Sequence, residues 1–191
     1  MSKNSFLFKF NDWWDANAFM TMGKSIWQGV VPYRDLFEQK GPYLYFIYAI
    51  AAIISNKTFI GVYFLEIISM FINLIFVRKI IKLFYKDEKY SFLGILIYCF
   101  SAFFVFTFGH GGSAEEFTLP LMFITMFYYN RYLKDKKEIN IDKKVLLING
   151  IIAGVVFWIK YSLLGFWFIF AATMCLIPLF KKDIKTSLIN A

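Results

Sequence analysis

The residues best suited to chemistry fall in three places along the chain. The densest is Asp12 to Pro42, DWWDANAFMTMGKSIWQGVVPYRDLFEQKGP, the longest stretch that is not plainly apolar. It carries Asp12, Asp15, Lys24, Arg34, Asp35, Glu38 and Lys40 with aromatics set between them. Asp15 opens a helical pattern, and two compatible roles follow. It can cap the helix by accepting first-turn amides. It can also act as a general base, because a carboxylate at a partly dry membrane interface has a raised pKa and can take a proton from a hydroxyl. Tyr33-Arg34-Asp35 and Glu38-Gln39-Lys40-Gly41-Pro42 crowd together directly before an apolar segment. They suit either a belt of snorkelling charges or a binding surface in which Arg34 or Lys40 holds a phosphate at headgroup level.

The second place is Glu115-Glu116, which follow Gly-His-Gly-Gly-Ser and start a helix running into Pro120. The helix dipole alone favours acids there. They also suit a second acidic element that orients an acceptor or binds a divalent metal. His110 is the single histidine. With Glu115 and Glu116 it would complete a small metal set, and a solvated histidine in a polar turn is the plainer account. The third is Lys160, between two apolar blocks, where an ionisable residue is a functional candidate by default or a snorkelling helix end. Glu66 lies deeper, in mid-span, and calls for a polar partner that the sequence does not name.

The elements that must position these residues are membrane-like. The chain has 191 residues, 59% hydrophobic, 22% aromatic and 18% charged. A soluble domain averages about 45–50% apolar and about 25% charged. The excess falls in blocks of the length that a bilayer core of roughly 30 Å requires. The formal charge of +8 gathers in a few connectors, where Lys and Arg orient helices and meet anionic headgroups. Nucleic acid is therefore not an expected partner; membrane lipid is. Cys99 and Cys175 sit in apolar blocks without metal-type spacing and read as small apolar residues. Residues 1–10 hold only the cluster Phe6 to Phe8, too short for a signal peptide or a span.

In chain order, the pattern predicts an all-α, polytopic membrane protein with five to six membrane helices and one amphipathic interfacial helix. Residues 1–42 form an outer-face loop carrying that helix, and 43–191 form the bundle. The interfacial helix spans 15–28, with Phe19, Met22, Ile26 and Trp27 as its apolar stripe and Gly29 ending it. Pro32 and Gly41-Pro42 keep 30–42 irregular. Apolar segments follow at 43–55, 58–77, 90–108, 117–130, 145–159 and 162–180, the last two broken near Lys160. Basic connectors at 78–89, 131–144 and 181–185 belong on the cytoplasmic side, which places 109–116 and 160–162 on the outer face. The short segment 43–55 leaves two alternatives. If it spans, residues 12–42 fall on the cytoplasmic side; if it is re-entrant or interfacial, they share the outer face with 109–116.

The string Asp15…Gly29…Pro32-Tyr33-Arg34-Asp35-Leu36-Phe37…Lys40-Gly41-Pro42 resembles the first outer loop of GT-C membrane glycosyltransferases, among them the protein O-mannosyltransferase-like and aminoarabinose transferase-like families. Lys40-Gly41-Pro42 stands where many members have Lys-Pro-Pro, and Gly112-Ser113-Ala114-Glu115-Glu116 matches a later acidic outer loop in order and spacing. The resemblance implies transfer of a sugar from a polyprenyl-phosphate donor to a cell-envelope acceptor. Asp15 would be the catalytic carboxylate, Lys40 a phosphate contact, and Glu115 or Glu116 the second acid. Arg34, Tyr33, Asp35, Glu38 and Lys160 complete the expected substrate site. The chain departs from that family in lacking a helix before the first outer loop and in stopping at Ala191. It therefore reads as a shortened piece whose remaining polypeptide would be a partner. A non-enzymatic transporter or flippase component, with Lys160 and Glu66 lining a path, is the alternative, as is an inactive fragment.

Overall fold

The computed structural model describes residues 2–103, 109–134 and 143–180. Their regular structure is helical: α1 (Trp14–Ile26), α2 (Pro42–Ile54), α3 (Ile60–Phe84), α4 (Glu88–Phe103), α5 (Ala114–Lys134), α6 (Lys143–Lys160), a 3-10 turn (Tyr161–Leu164) and α7 (Gly165–Phe180). Among the described residues, two helical stretches are long and apolar enough to cross a membrane, Ile60–Phe84 and Lys143–Leu176, the second interrupted by the 3-10 turn. The expected segments at 104–108, 135–142 and 181–185 lie outside the described residues.

Side-chain contacts fix how the helices run. α3 and α5 lie side by side in the same direction, with Phe76 edge-on to Phe127 at 5.8 Å and Glu66 near the turn that precedes α5. α4 returns along α3: Asn73 donates to the Tyr98 hydroxyl at 2.8 Å, and Glu88 pairs with Arg78 and Lys82. α6 runs back along α5 until Lys160 meets Glu115. α7 then runs beside α5, with Phe170 against Tyr129.

The same contacts fix where residues 43–55 lie against the other helices. α2 begins at the C-terminal end of α6, where the Gly41 amide donates to the Ile159 carbonyl at 3.0 Å. It ends at the start of α3, where Gly61 lies so close to Ala51 that a Cβ would overlap its carbonyl. Midway, the Tyr48 hydroxyl donates to the Gly112 carbonyl, just ahead of α5. α3 and α5 both start at this end and α6 finishes there, so α2 lies across the end of the bundle. Its 13 residues make about 20 Å of helix, less than a bilayer core requires. Residues 29–41 and 109–113 therefore share one end.

Two expectations need correction. The buried face of α1 is Ala16, Phe19, Met20, Met22 and Gly23, with Ile26 packed at its edge; of the expected stripe Phe19, Met22, Ile26 and Trp27, only Trp27 falls outside it. Gly23 is the point of closest approach, 2.7 Å from a virtual Cβ to the Ala49 nitrogen, and this rotates Trp27 outward. Trp27 is 62% exposed, although its indole N–H still reaches the Ala49 carbonyl at 2.8 Å. α1 does end as expected, with Gly29 at φ 83 and Val30 N–H reaching back to the Ser25 carbonyl. The second correction is α3, which runs seven residues beyond 77 and takes in most of the basic segment 78–89. Helix persists there because Arg78 and Lys82 hold Glu88, and Lys79 lies over the Phe76 and Phe127 rings.

Candidate functional site

The segment between α1 and α2 is built from its own polar groups. Tyr33 sits in the left-handed region at φ 68, a strained backbone for a bulky residue. Its amide donates to the Leu36 carbonyl at 2.7 Å, inside a tight Pro32–Leu36 turn. Asp35 closes the turn by accepting the Val31 amide at 2.8 Å and both sides of the Arg34 guanidinium. Arg34, with its backbone partner Val31, holds the Asp35 carboxyl down to about 2. The hydroxyls of Tyr33 and Tyr45 both donate to the Lys40 carbonyl, and Tyr45 also bonds Glu38. Gly41 then docks against Trp158, where any Cβ would overlap the carbonyl oxygen.

The result is a groove of about 500 Å³ between this segment and the end of α6, lined by Tyr33, Phe37, Lys40, Trp158, Lys160 and Tyr161 among others. Lys40 Nζ lies 3.9 Å from Asp15 and 4.0 Å from Glu38, and 5.8 Å above the Phe19 ring. Lys160 is bonded to Glu115. Burial pushes the Glu115 carboxyl up, but the Lys160 hydrogen bond, a helix amide and the charges of Lys160 and Lys40 outweigh it and hold it below its ordinary value. Burial raises the Tyr33 hydroxyl, with Glu38 adding to the shift against a bond from Tyr45. Four segments distant in sequence thus supply one cluster of two cations and three carboxylates.

Several expected residues land elsewhere. Asp15 is not the cap of α1: Trp13 holds that position, and its amide donates to Asn11 Oδ1. No side chain caps the α1 N-terminus, and Asp15, in the first turn, faces Lys40 instead. Arg34 does not line the groove; its side chain is 68% exposed and engaged with Asp35. His110 stacks on Trp13 at 5.7 Å and 24°, and among the described residues no three His, Cys, Asp or Glu gather as metal ligands. The set of His110 with Glu115 and Glu116 is not assembled.

Glu115 and Glu116, adjacent in sequence, part company. Neighbours on a helix point about 100° apart, so while Glu115 faces Lys160, Glu116 turns inward to accept the Gly112 amide at 2.8 Å. There it lines a second space of about 420 Å³ between α3, α4 and α5, together with Glu66. Burial and the nearby Glu66 charge raise the Glu116 carboxyl above its ordinary value. Glu66 accepts from Asn4, which in turn accepts from Asn11 at 2.7 Å, and Asn11 also donates to the His110 carbonyl. The partner that the sequence left unnamed is thus Asn4, from a segment read only as a polar start. Tyr48, Asn4 and Asn11 are functional-end residues that sequence analysis missed.

Residues 7–187 match the competence-induced protein Ccs4 N-terminal domain family. The chain belongs to that family. The match takes in the groove, Glu66 and α1 to α7 alike, so the family domain and the described bundle coincide. No curated protein and no solved structure matches the chain.

Proposed function

We propose that this family member is a multi-pass membrane protein whose groove holds the phosphate of a lipid-linked sugar and passes the sugar to an outer-face acceptor, in the manner of GT-C transferases. The observation that carries this reading is the convergence of Lys40 and Lys160 in one groove, each beside a carboxylate from a distant segment. The apolar runs of α4 and α5, residues 90–103 and 117–130, act as further spans beside Ile60–Phe84 and Lys143–Leu176, with Glu115 and Glu116 at the outer end of the second. α2, presenting Phe46, Ile50, Ile53 and Ile54 outward, lies in the interface.

In this reading the acceptor hydroxyl oxygen attacks the anomeric carbon, its proton passes to Asp15, and the bond from that carbon to the phosphate oxygen breaks. The electrons leave on the polyprenyl phosphate, where Lys40 and Lys160 stabilise the growing charge. Glu115 aims Lys160, and Glu38 with Tyr45 fixes the backbone that carries Lys40. Trp158, Tyr161 and Phe37 offer ring faces to a sugar or prenyl unit.

The test uses the full chain in vesicles loaded with radiolabelled polyprenyl-phosphate sugars. Sugar transfer is expected, and Asp15→Asn should cut it by about 10²–10⁴-fold, the usual contribution of a positioned base. Polyprenyl-phosphate binding, read by native mass spectrometry, should weaken by about tenfold in Lys40→Met and Lys160→Met. Unchanged turnover in Asp15→Asn, or unchanged binding in both lysine variants, overturns the assignment. A non-enzymatic transport component is the second reading, favoured by the cavity at Glu66; flux of lipid-linked sugar without turnover would select it.

A further inference from the structure

We propose that the cavity between α3, α4 and α5 is a binding site for a small organic cation, an ammonium carried on an apolar body. The site is distinct from the groove in chemistry and in lining. Glu66 and Glu116 bring two carboxylates into it, and among the described residues neither forms an ion pair. Their partners are neutral: Asn4, Ser2 and the Gly112 amide for Glu66, and the Gly112 and Ser113 amides for Glu116. A carboxylate offers about four lone-pair sites, so each retains room for a further donor.

A second observation comes from a different helix turn. Asn73, seven residues after Glu66 on α3, is 3% exposed and lines the same space. Its amide nitrogen donates to Tyr98, and its Oδ1 has no partner. A buried amide oxygen without a donor is costly, and Asn73 lines the cavity, where a ligand donor would meet it. Asn73 therefore marks the far end of a polar track that starts at the two glutamates.

The remaining lining sets the rest of the ligand. Ile67, Met70, Phe71, Leu74 and Leu119 are apolar, and the volume of about 420 Å³ falls within the range of small-molecule sites. A bare divalent ion suits it poorly, since such ions take about six or more oxygen ligands and no third acid or histidine joins the pair among the described residues. Glu66 and Glu116 offer carboxylate oxygens to an ammonium at one end of the space, and Asn73, about 10 Å further along α3, offers its amide oxygen to a second donor on the ligand body. The ring of Tyr98 and the Phe71 side chain suit the flank of such a cation.

The probe is phenylbutylamine, with phenylbutanol and phenylbutanoate as its neutral and anionic counterparts. Binding to the full chain in lipid nanodiscs is measured by calorimetry at mildly alkaline pH, with empty nanodiscs as the blank. The amine is expected to bind at least about tenfold more tightly than either counterpart, as a charge-assisted contact would give. Glu66→Gln and Glu116→Gln, which keep the acceptors for Asn4 and Gly112, should each cost about tenfold. Amine binding no better than the blank, or an alcohol or acid that binds as well, overturns the site. So do folded Gln variants, intact by circular dichroism, that bind the amine like the parent. The wild-type charge series stands on its own if a variant does not fold.

Discussion

In the groove, Lys40 faces Asp15 and Glu38, and Lys160 is bonded to Glu115; in the cavity, Glu66 and Glu116 have only neutral donors, from Asn4, Ser2 and backbone amides, and no cation among the described residues. Both lie at the end where α3 and α5 begin. Partly exposed charges tolerate approximate pairing, because water completes their solvation. Buried charges do not, and the missing countercharge must be replaced by protonation or by a ligand. The groove is therefore a finished electrostatic unit that an anionic phosphate would have to enter by competing with carboxylates. The cavity is an unfinished one.

Backbone substitutions separate the two regions with the largest effects. Gly111 has φ 75, and a Cβ there would overlap Ser2 and crowd Glu66 at 2.6 Å. Gly111→Ala should destabilise the fold by about 2–4 kcal/mol, summing left-handed strain and overpacking, and should abolish phenylbutylamine binding. Gly41 has an ordinary φ of −73, so Gly41→Ala suffers overpacking against Trp158 alone, about 1–3 kcal/mol. It should displace the Lys40 segment and weaken polyprenyl-phosphate binding while amine binding stays near the parent value. Thermal unfolding and the two binding assays check both. Loss of both ligands in both variants would mean that groove and cavity form one cooperative unit.

Acidification should move the two regions in opposite directions. Glu115 has a lowered carboxyl pKa, so its contribution is present above the ordinary value of 4.5 and disappears as pH falls through the lower folded value. Glu116 has a raised one. Below 4.5 it is neutral folded and unfolded; above that the unfolded chain ionises first, and stability is lost as pH rises toward the folded value. Unfolding temperatures of Glu115→Gln and Glu116→Gln, compared with the parent across pH, read this out. Glu115→Gln should fall further behind the parent as pH rises from acid to neutral, and Glu116→Gln should gain on it. Parallel curves would show that the two adjacent glutamates share one environment.

The sequence reveals some of this division and hides the rest for physical reasons. Gly29, Pro32 and Gly41-Pro42 act on the backbone locally, so the irregular segment before α2 is legible. Helical type is legible from the apolar blocks. The outward turn of Trp27 is not, because Gly23 lets another backbone approach and has no side chain to announce it. Asp15 reads as a cap until α1 is seen to start one residue before it, with Trp13 at the cap position and Asp15 turned to Lys40. The parting of Glu115 from Glu116 depends on how α5 is rotated against α3 and α6. Glu66 finds its partner in Asn4, sixty-two residues away, and no local pattern carries that distance. The length of 43–55 leaves a span and an interfacial helix both open, and its place across the bundle end depends on contacts of Gly41 and Gly61 that the local sequence does not carry.

The smallest expected effect sharpens which cations belong to the groove. Arg34 is the residue type best suited to grip a phosphate with two parallel hydrogen bonds, and by type alone it outranks Lys40. Its guanidinium instead spends that geometry on Asp35, with the Nε and Nη2 contacts both at 2.8 Å, and it stands outside the groove lining. Lys40 has looser carboxylate contacts at 3.9 and 4.0 Å and faces the groove directly. Arg34→Ala should therefore leave polyprenyl-phosphate binding within about twofold of the parent, as an exposed substitution away from the ligand would. The same measurement on Lys40→Met should show the larger loss. If Arg34→Ala matches Lys40→Met, the Arg34–Asp35 pair must open to bind phosphate, and the boundary of the groove would extend to the Pro32–Leu36 turn.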